Sequence, residues 1–157
     1  MKESLLLRKT VNNNFLPIKN GYHNSLSSLF SLLFGDFRPW DDNFLYHDIN
    51  VYNAHFIYHD FDQNMLYLGI AEWELSDGEM HCPEDHEFPT YVHENNSCKM
   101  SVDNYLEFRK NWVNLKQELP SFALIYRDNN DWIHIKSFNL QEDMEFFVKN
   151  STQQDID

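Results

Sequence analysis

Lysine and arginine are missing from sixty consecutive residues, 39–98, in the middle of this 157-residue chain. The same stretch carries thirteen aspartates and glutamates, whereas the rest of the chain balances twelve basic residues against twelve acidic ones. The formal net charge of −13 is therefore the charge of this stretch, which we call the acidic segment. Since like charges repel one another in a compact protein, the two signs are usually mixed on a surface. We expect the acidic segment to form a surface that meets a positively charged partner.

The length predicts one domain, residues 1–157, large enough to bury about two thirds of its unfolded surface. Thirteen Phe, eight Tyr and four Trp supply the bulk of a core. No apolar run approaches the roughly 18 residues that span a bilayer, and the leucines of residues 5–7 are too few for a secretory signal. We therefore expect a cytoplasmic protein without a membrane partner, in which Cys82 and Cys98 are reduced thiols.

Several classes of function are disfavoured by charge and composition. An anionic surface repels phosphates, which argues against direct binding of nucleic acid and of anionic membranes. The four glycines are isolated from one another, so no glycine-rich loop can hold the phosphates of a nucleotide. No serine lies in a nucleophile elbow between a strand and a helix. We expect neither a cofactor nor catalytic residues.

Hydrophobic periodicity predicts helices over residues 26–34, 102–118 and 140–149. Strands are predicted over 51–61, 65–75, 88–93, 122–127 and 132–138, with turns at 62–64 and 128–131. Residues 36–50 show no clean period, and 150–157 are expected to be a frayed tail. Helices and strands alternate without regular βαβ units. The sequence therefore predicts an α+β fold, a single domain with an antiparallel sheet packed against about three helices.

The densest acidic run of the chain lies at residues 72–87, which we expect to contain the partner-binding residues. Glu72 and Glu74 are expected on one face of a strand, about 6.6 Å apart, close to the spacing of phosphates along a nucleic-acid strand. Trp40 lies in an irregular stretch and is predicted to be an aromatic anchor at the interface. The predicted contact surface consists of Trp40 and seven acids, Glu72, Glu74, Asp77, Glu79, Glu84, Asp85 and Glu87.

A metal site is the main alternative, because five residues that ligate metals lie within 18 positions. These are His81, Cys82, His86, His93 and Cys98. A small metal-dependent hydrolase would use His81, His86 and His93 with an acidic general base. However, the two cysteines stand singly, without the paired spacing of structural zinc sites. Ordinary surface histidines beside carboxylates are the default interpretation, and we predict no metal.

In its small size, acidity, richness in aromatic residues and α+β layout, the chain resembles bacterial immunity proteins. These proteins protect against nuclease toxins of contact-dependent growth inhibition and related polymorphic toxin systems. The acidic run from Glu72 to Glu94 carries the resemblance. It implies a tight complex with a basic partner, the cognate toxin nuclease domain, whose active site or a neighbouring surface is blocked. An acidic mimic of nucleic acid and an adaptor in a larger assembly are alternatives of the same kind.

Overall fold

The computed structural model describes residues 1–18, 25–34, 42–52, 55–70, 74–76, 79–81 and 84–153. Its contacts divide the chain into two compact units. Unit 1 combines residues 1–22 with 103–157, and unit 2 is residues 23–102. Among the described strands every pairing is antiparallel, and helices alternate with strands, so the predicted α+β class is confirmed. The single domain of 157 residues stays a prediction.

The described part of the chain contains strands, α-helices and two short 3₁₀ turns. The strands are β1 Glu3–Lys9, β2 Phe15–Pro17, β3 Ile49–Tyr52, β4 His55–Asp60, β5 Met65–Ile70, β6 Glu74–Ser76, β7 Glu79–His81, β8 Ser97–Ser101, β9 Phe122–Arg127 and β10 Ile133–Phe138. The helices are α1 Ser25–Phe34, α2 Phe88–Tyr91, α3 Val102–Glu118 and α4 Gln141–Gln153. The 3₁₀ turns are Asp42–Leu45 and Asp85–Glu87.

Unit 1 is built on a four-stranded sheet, sheet 1, in the order β10-β9-β1-β2. Helix α3 is attached to it at two points. The ring centroids of Phe15 and Trp112 lie 6.4 Å apart. The buried side chain of Asn104 donates to the carbonyl of Ile133 at 2.8 Å and accepts from its N–H at 2.7 Å. Asn104 thus satisfies both backbone groups of a strand residue, which makes its burial favourable.

Unit 2 contains a second four-stranded sheet, sheet 2, in the order β3-β4-β5-β8, and the small hairpin β6–β7. Helix α1 contacts β5 and β8, and the Ser31 hydroxyl lies 3.0 Å from Nε2 of His55. Because side chains alternate along a strand, Ile57, with Leu68 opposite it, points to the α1 side, whereas Phe56 points to the other. Sheet 2 therefore has an inner face, under α1, and an outer face that carries Phe56.

Helices α1 and α3 and the hairpin of β9 and β10 confirm the sequence prediction. Helix α3 has the predicted bounds, α1 begins one residue earlier than predicted, and the hairpin of β9 and β10 turns at residues 128–131 as expected. Trp112 of α3 is buried, Trp132 is half-buried, and Trp73 lies outside the described residues. The turn at 62–64 is also confirmed, with Asn64 in the left-handed region at φ 53°, a conformation that asparagine tolerates.

Several predicted elements are wrong. Residues 88–91 form helix α2 instead of a strand, and the predicted strand 51–61 is divided between β3 and β4. The predicted strand 65–75 is likewise divided between β5 and β6, and α4 continues to Gln153, past the residue where a frayed tail was expected. The described strands form two four-stranded antiparallel sheets and a small hairpin, which specifies the antiparallel sheet of the predicted α+β class further. Strands β1, β2, β7 and β8 were not predicted at all.

Candidate functional site

The outer face of sheet 2 carries a row of tyrosines that crosses the central strands. Tyr58 of β4 lies opposite Tyr67 of β5, which lies opposite Lys99 of β8. The two tyrosine rings are 5.7 Å apart between centroids, with 35° between their planes. The ammonium group of Lys99 lies 5.7 Å from the Tyr67 ring centroid, within the range of a cation–π contact. This half of the outer face is therefore aromatic and already accommodates a cation.

Three aspartates lie near enough to Tyr58 to affect the pKa of its phenol. Burial raises the pKa of the Tyr58 phenol above its ordinary value, and the negative charges of Asp60, Asp48 and Asp62 raise it further. Asp48 comes close because its carbonyl accepts the N–H of His59 at 2.7 Å. The carboxylate of Asp60 accepts the N–H of Gln63 at 3.2 Å, which holds the turn between β4 and β5. We call Asp48, Tyr58, Asp60, Asp62 and Tyr67 the aspartate–tyrosine surface.

The other half of the outer face is covered by the segment that contains helix α2. The ring of Phe56 packs edge-on against Phe88, at 5.6 Å, and against Tyr91, at 5.9 Å. Tyr58 packs against the same cluster. Glu84 and Glu87 lie exposed at the start of this covering segment, where the N–H of Glu84 donates to a carboxylate oxygen of Glu87 at 3.1 Å. The covering segment therefore adds acids to the same side of sheet 2.

The structure describes only some of the predicted partner-binding residues. Glu84 and Glu87 are exposed and close to each other. Glu74 lies in β6, opposite His81 of β7, and Glu79 lies opposite Ser76. The side chains of Glu74, Glu79 and Asp85 lie outside the described part of the chain, as do residues Trp40, Glu72 and Asp77. The contact surface predicted from residues 72–87 therefore stays a prediction, apart from the exposure of two of its members.

The ion pairs between described side chains lie in unit 1. These pairs are Lys2–Asp131 at 2.6 Å, Arg127–Glu3 at 3.0 Å and His134–Asp128 at 2.8 Å. In the acidic segment, the described side chains of Asp48, Asp62, Glu84, Glu87 and Glu94 are all exposed. The negative charge of the described part of unit 2 thus faces solvent.

Two exposed aromatic side chains lie close to the aspartates along the chain. Tyr46, two residues before Asp48, is 76% exposed, and Phe61, between Asp60 and Asp62, is 52% exposed. Phe61 also stacks on the ring of His59, with 4.1 Å between centroids. Large aromatic side chains at a protein surface are typical of binding interfaces. The arrangement offers apolar contact area beside negative charge.

The geometry gives no support to the predicted metal alternative. Among the described residues, no group of three or more His, Cys, Asp or Glu side chains could hold a metal ion. His86 and His93 are exposed, and Nδ1 of His93 accepts the N–H of Asn95 at 3.1 Å. Cys98 is fully buried in β8, while Cys82 and the side chain of His81 lie outside the described residues.

Unit 1 contains a surface pocket of about 310 Å³ beside the turn between β9 and β10. Tyr126, Asp128 and Phe147 line it. Burial opposes the charge of Asp128, but hydrogen bonds from His134 and from the N–H groups of Trp132 and Asn130 lower its pKa below the usual range. Since the oxygens of Asp128 accept these internal bonds, its role is to stabilise the turn between β9 and β10.

Comparison with known proteins adds no functional information. No protein-family model, no curated protein and no solved structure matches this chain. Among the described residues, no helix has both the length and the apolar character needed to cross a membrane. The case for a function therefore depends on the surface of unit 2 and on its charge.

Sequence reasoning missed the aspartate–tyrosine surface, although a signal for it was present. Tyr58 and Asp60 alternate with buried residues in β4, so a period of two places both on one face. The strand was predicted, but the denser acidic run that follows it is the stronger signal in the sequence. The proximity of Asp48 and the adjacency of Tyr67 depend on strand pairing, which the sequence does not reveal.

Proposed function

We propose that this protein binds and neutralises a basic protein partner through the outer face of sheet 2 in unit 2. Because the chain resembles bacterial immunity proteins, we propose a cognate toxin nuclease domain as the partner. In this proposal the protein is an inhibitor and not an enzyme. The observation that carries it is the pairing of Tyr58 with Tyr67 across β4 and β5, beside exposed aspartates of a segment that has no lysine or arginine.

The physical argument concerns both the rate and the lifetime of the complex. A nuclease presents a cationic cleft to nucleic acid, and a contiguous negative surface attracts such a cleft over several ångströms. Complementary fields of this kind raise association rates, and added salt reduces the effect. The aromatic side chains of Tyr58 and Tyr67 would supply the apolar contacts that slow dissociation.

The proposal predicts that a toxin with a basic domain is encoded beside this chain. The decisive experiment measures the rate at which that domain associates with this protein at low and at physiological salt. Replacing Asp48, Asp60 and Asp62 together by asparagine should slow association about tenfold at low salt and reduce its dependence on salt. Asparagine preserves the size of the side chain and the acceptor that holds Gln63. We expect the variant to fold normally and to protect cells from the toxin less well.

A matched control carries the same change of net charge in unit 1. Glu107, Glu118 and Glu145 are exposed, and their joint replacement by glutamine should leave association nearly unchanged. If both triple variants slow association equally, overall charge matters and the outer face does not. If the aspartate variant binds and protects like the natural chain, the proposal is wrong.

Metal analysis tests the alternative enzymatic function independently. Protein purified without a histidine tag should contain no stoichiometric zinc or iron under this proposal. A stoichiometric metal that disappears on replacing His86 or His93 would favour the hydrolase and count against an inhibitor.

The partner could also prove to be a nucleic-acid enzyme of the host, or a subunit of a larger assembly. Either result would correct the identity of the partner while leaving the binding surface unchanged.

A further inference from the structure

We propose that the aspartate–tyrosine surface is a subsite for an arginine side chain of the partner, whose guanidinium group lies against Tyr58 and Tyr67 and donates to the neighbouring aspartates. The inference rests on the proposed function and specifies its chemistry. It predicts that the protein distinguishes arginine from lysine, which attraction between net charges alone does not do.

The first argument is the contact that Lys99 already makes. Its ammonium group lies 5.7 Å from the Tyr67 centroid, so the ring attracts a cation from within the same chain. Tyr58 lies beside Tyr67 in the cross-strand row, on the side away from Lys99. A second cation that approaches over Tyr58 would meet a ring that has Asp60 two residues further along β4, with the charges of Asp48 and Asp62 also acting on the phenol.

The second argument is the separation of the carboxylates. Although Asp48, Asp60 and Asp62 all act on Tyr58, they are not part of any group of described side chains that could hold a metal ion. Their oxygens do not converge on a point, so a small cation could not be ligated by all three. A guanidinium group is planar and carries five N–H donors that point outwards. It can therefore stack on a ring while it donates to carboxylates that lie apart.

The third argument is the difference between the two basic side chains. Arginine stacks on aromatic faces and binds carboxylates in a fixed fork, whereas lysine is a compact, strongly hydrated point charge. A cation–π contact at an exposed site is worth roughly 0.5–1 kcal/mol, which corresponds to a two- to five-fold change in affinity. The subsite should therefore show a modest but measurable preference for arginine.

The test uses fluorescent oligo-arginine and oligo-lysine peptides of equal length and charge, titrated with the full chain at low salt. We expect the arginine peptide to bind about two- to five-fold more tightly. Replacement of Tyr67 by leucine should abolish this preference, whereas replacement by phenylalanine, which retains the aromatic face, should preserve it. Phe146 of unit 1 is 67% exposed, and its replacement by leucine is the matched control that should change nothing. Circular dichroism confirms that each variant is folded.

The outcomes separate this inference from the proposed function. Equal binding of the two peptides, or a preference for arginine that survives Tyr67→Leu, overturns the arginine subsite. The proposed surface still stands in that case if the Asp48, Asp60 and Asp62 triple variant weakens both peptides. If neither peptide binds, or if the triple variant binds both as the natural chain does, the subsite and the proposed surface are both wrong.

Discussion

At the scale of single residues, Gly69 determines how the outer face of sheet 2 is covered. A Cβ atom at this position would overlap the ring of Phe56 and would lie 2.6 Å from the carbonyl oxygen of Asn96. Glycine lets that ring lie across β5, where it reaches Phe88 of the covering segment. A glycine inside a strand often marks such a close approach.

Replacing Gly69 by alanine should therefore destabilise the protein by about 1–3 kcal/mol, the usual cost of overpacking a core. Unfolding in urea measures this change. Combining it with Phe56→Leu, which shortens the overlapping ring, should cost less than the sum of the two single changes, with only partial recovery because the Asn96 carbonyl is backbone. An alanine variant as stable as the natural protein would show that the ring can move aside.

Asp128 gives a residue-scale prediction about pH. Its folded-state pKa is lowered relative to an unfolded value of about 3.9. The stabilisation is therefore complete above that value and disappears as the pH falls through the folded-state pKa. Because the side chain is 31% exposed, we expect Asp128→Asn to cost about 1 kcal/mol at pH 5, the lower end for such bonds.

The measurement is the free energy of unfolding from about pH 5 downwards. The difference between the natural protein and Asp128→Asn should shrink as the pH falls. The control is Glu107→Gln, which removes the charge of an exposed acid in α3. For this variant the difference in the free energy of unfolding from the natural protein should not shrink as the pH falls. A difference that stays constant with pH would mean that the charge of Asp128 contributes nothing to the turn.

At the scale of elements, β1 is the strand on which unit 1 depends. It lies between β2 and β9 in sheet 1, although the residues with which it pairs in β9 are more than a hundred positions away. Leu5 and Leu7 are buried while Leu6, between them, is only half-buried. Such alternation over a few residues is weak evidence by itself, which explains why the strand was not predicted.

A pair of leucine-to-alanine changes compares β1 with its neighbour at the edge. Leu7 has no exposed surface, so Leu7→Ala should lower the free energy of unfolding by about 2–5 kcal/mol. Leu16 of β2 is 42% exposed, and Leu16→Ala should cost less than about 1 kcal/mol. Equal effects, measured by urea unfolding, would contradict the central position of β1.

Helix α3 and the β9–β10 hairpin were predictable because their signals are local and strong. Many apolar positions follow the helical period in α3, and four polar residues in a row mark the turn at 128–131. Strand β8 is short and is recognised by its pairing with β5. Residues 88–91 alternate like a strand, yet they form a turn of helix in which Phe88 and Tyr91 reach the same partner, Phe56. Tertiary packing overrode the local pattern there.

At the scale of the whole molecule, the acidic segment should make stability depend on salt. Its carboxylates repel one another without lysine or arginine from the same segment between them. Added salt screens this repulsion. A surface retained in spite of such a cost is typical of a functional site.

Neutralising Asp48, Asp60 and Asp62 with asparagine should therefore raise the free energy of unfolding by about 1 kcal/mol at low salt. The gain should disappear near 1 M salt, where the screening length is about 3 Å. The matched triple variant of Glu107, Glu118 and Glu145 should gain less, because those acids come from a part of the chain balanced by cations. If the aspartate variant is less stable than the natural chain at low salt, these carboxylates stabilise the fold instead of opposing it.

The sequence by itself determined the charge and where along the chain it lies, the α+β class and the most strongly periodic elements, because these follow from composition and from short-range order. It also pointed to a basic partner. Only the tertiary structure decided which acids gather on one side of a sheet and which aromatic rings lie among them. Strand register is set by contacts between residues far apart in the chain. Tyr58, Tyr67 and Asp48 come together through such pairings, and no local pattern contains that information.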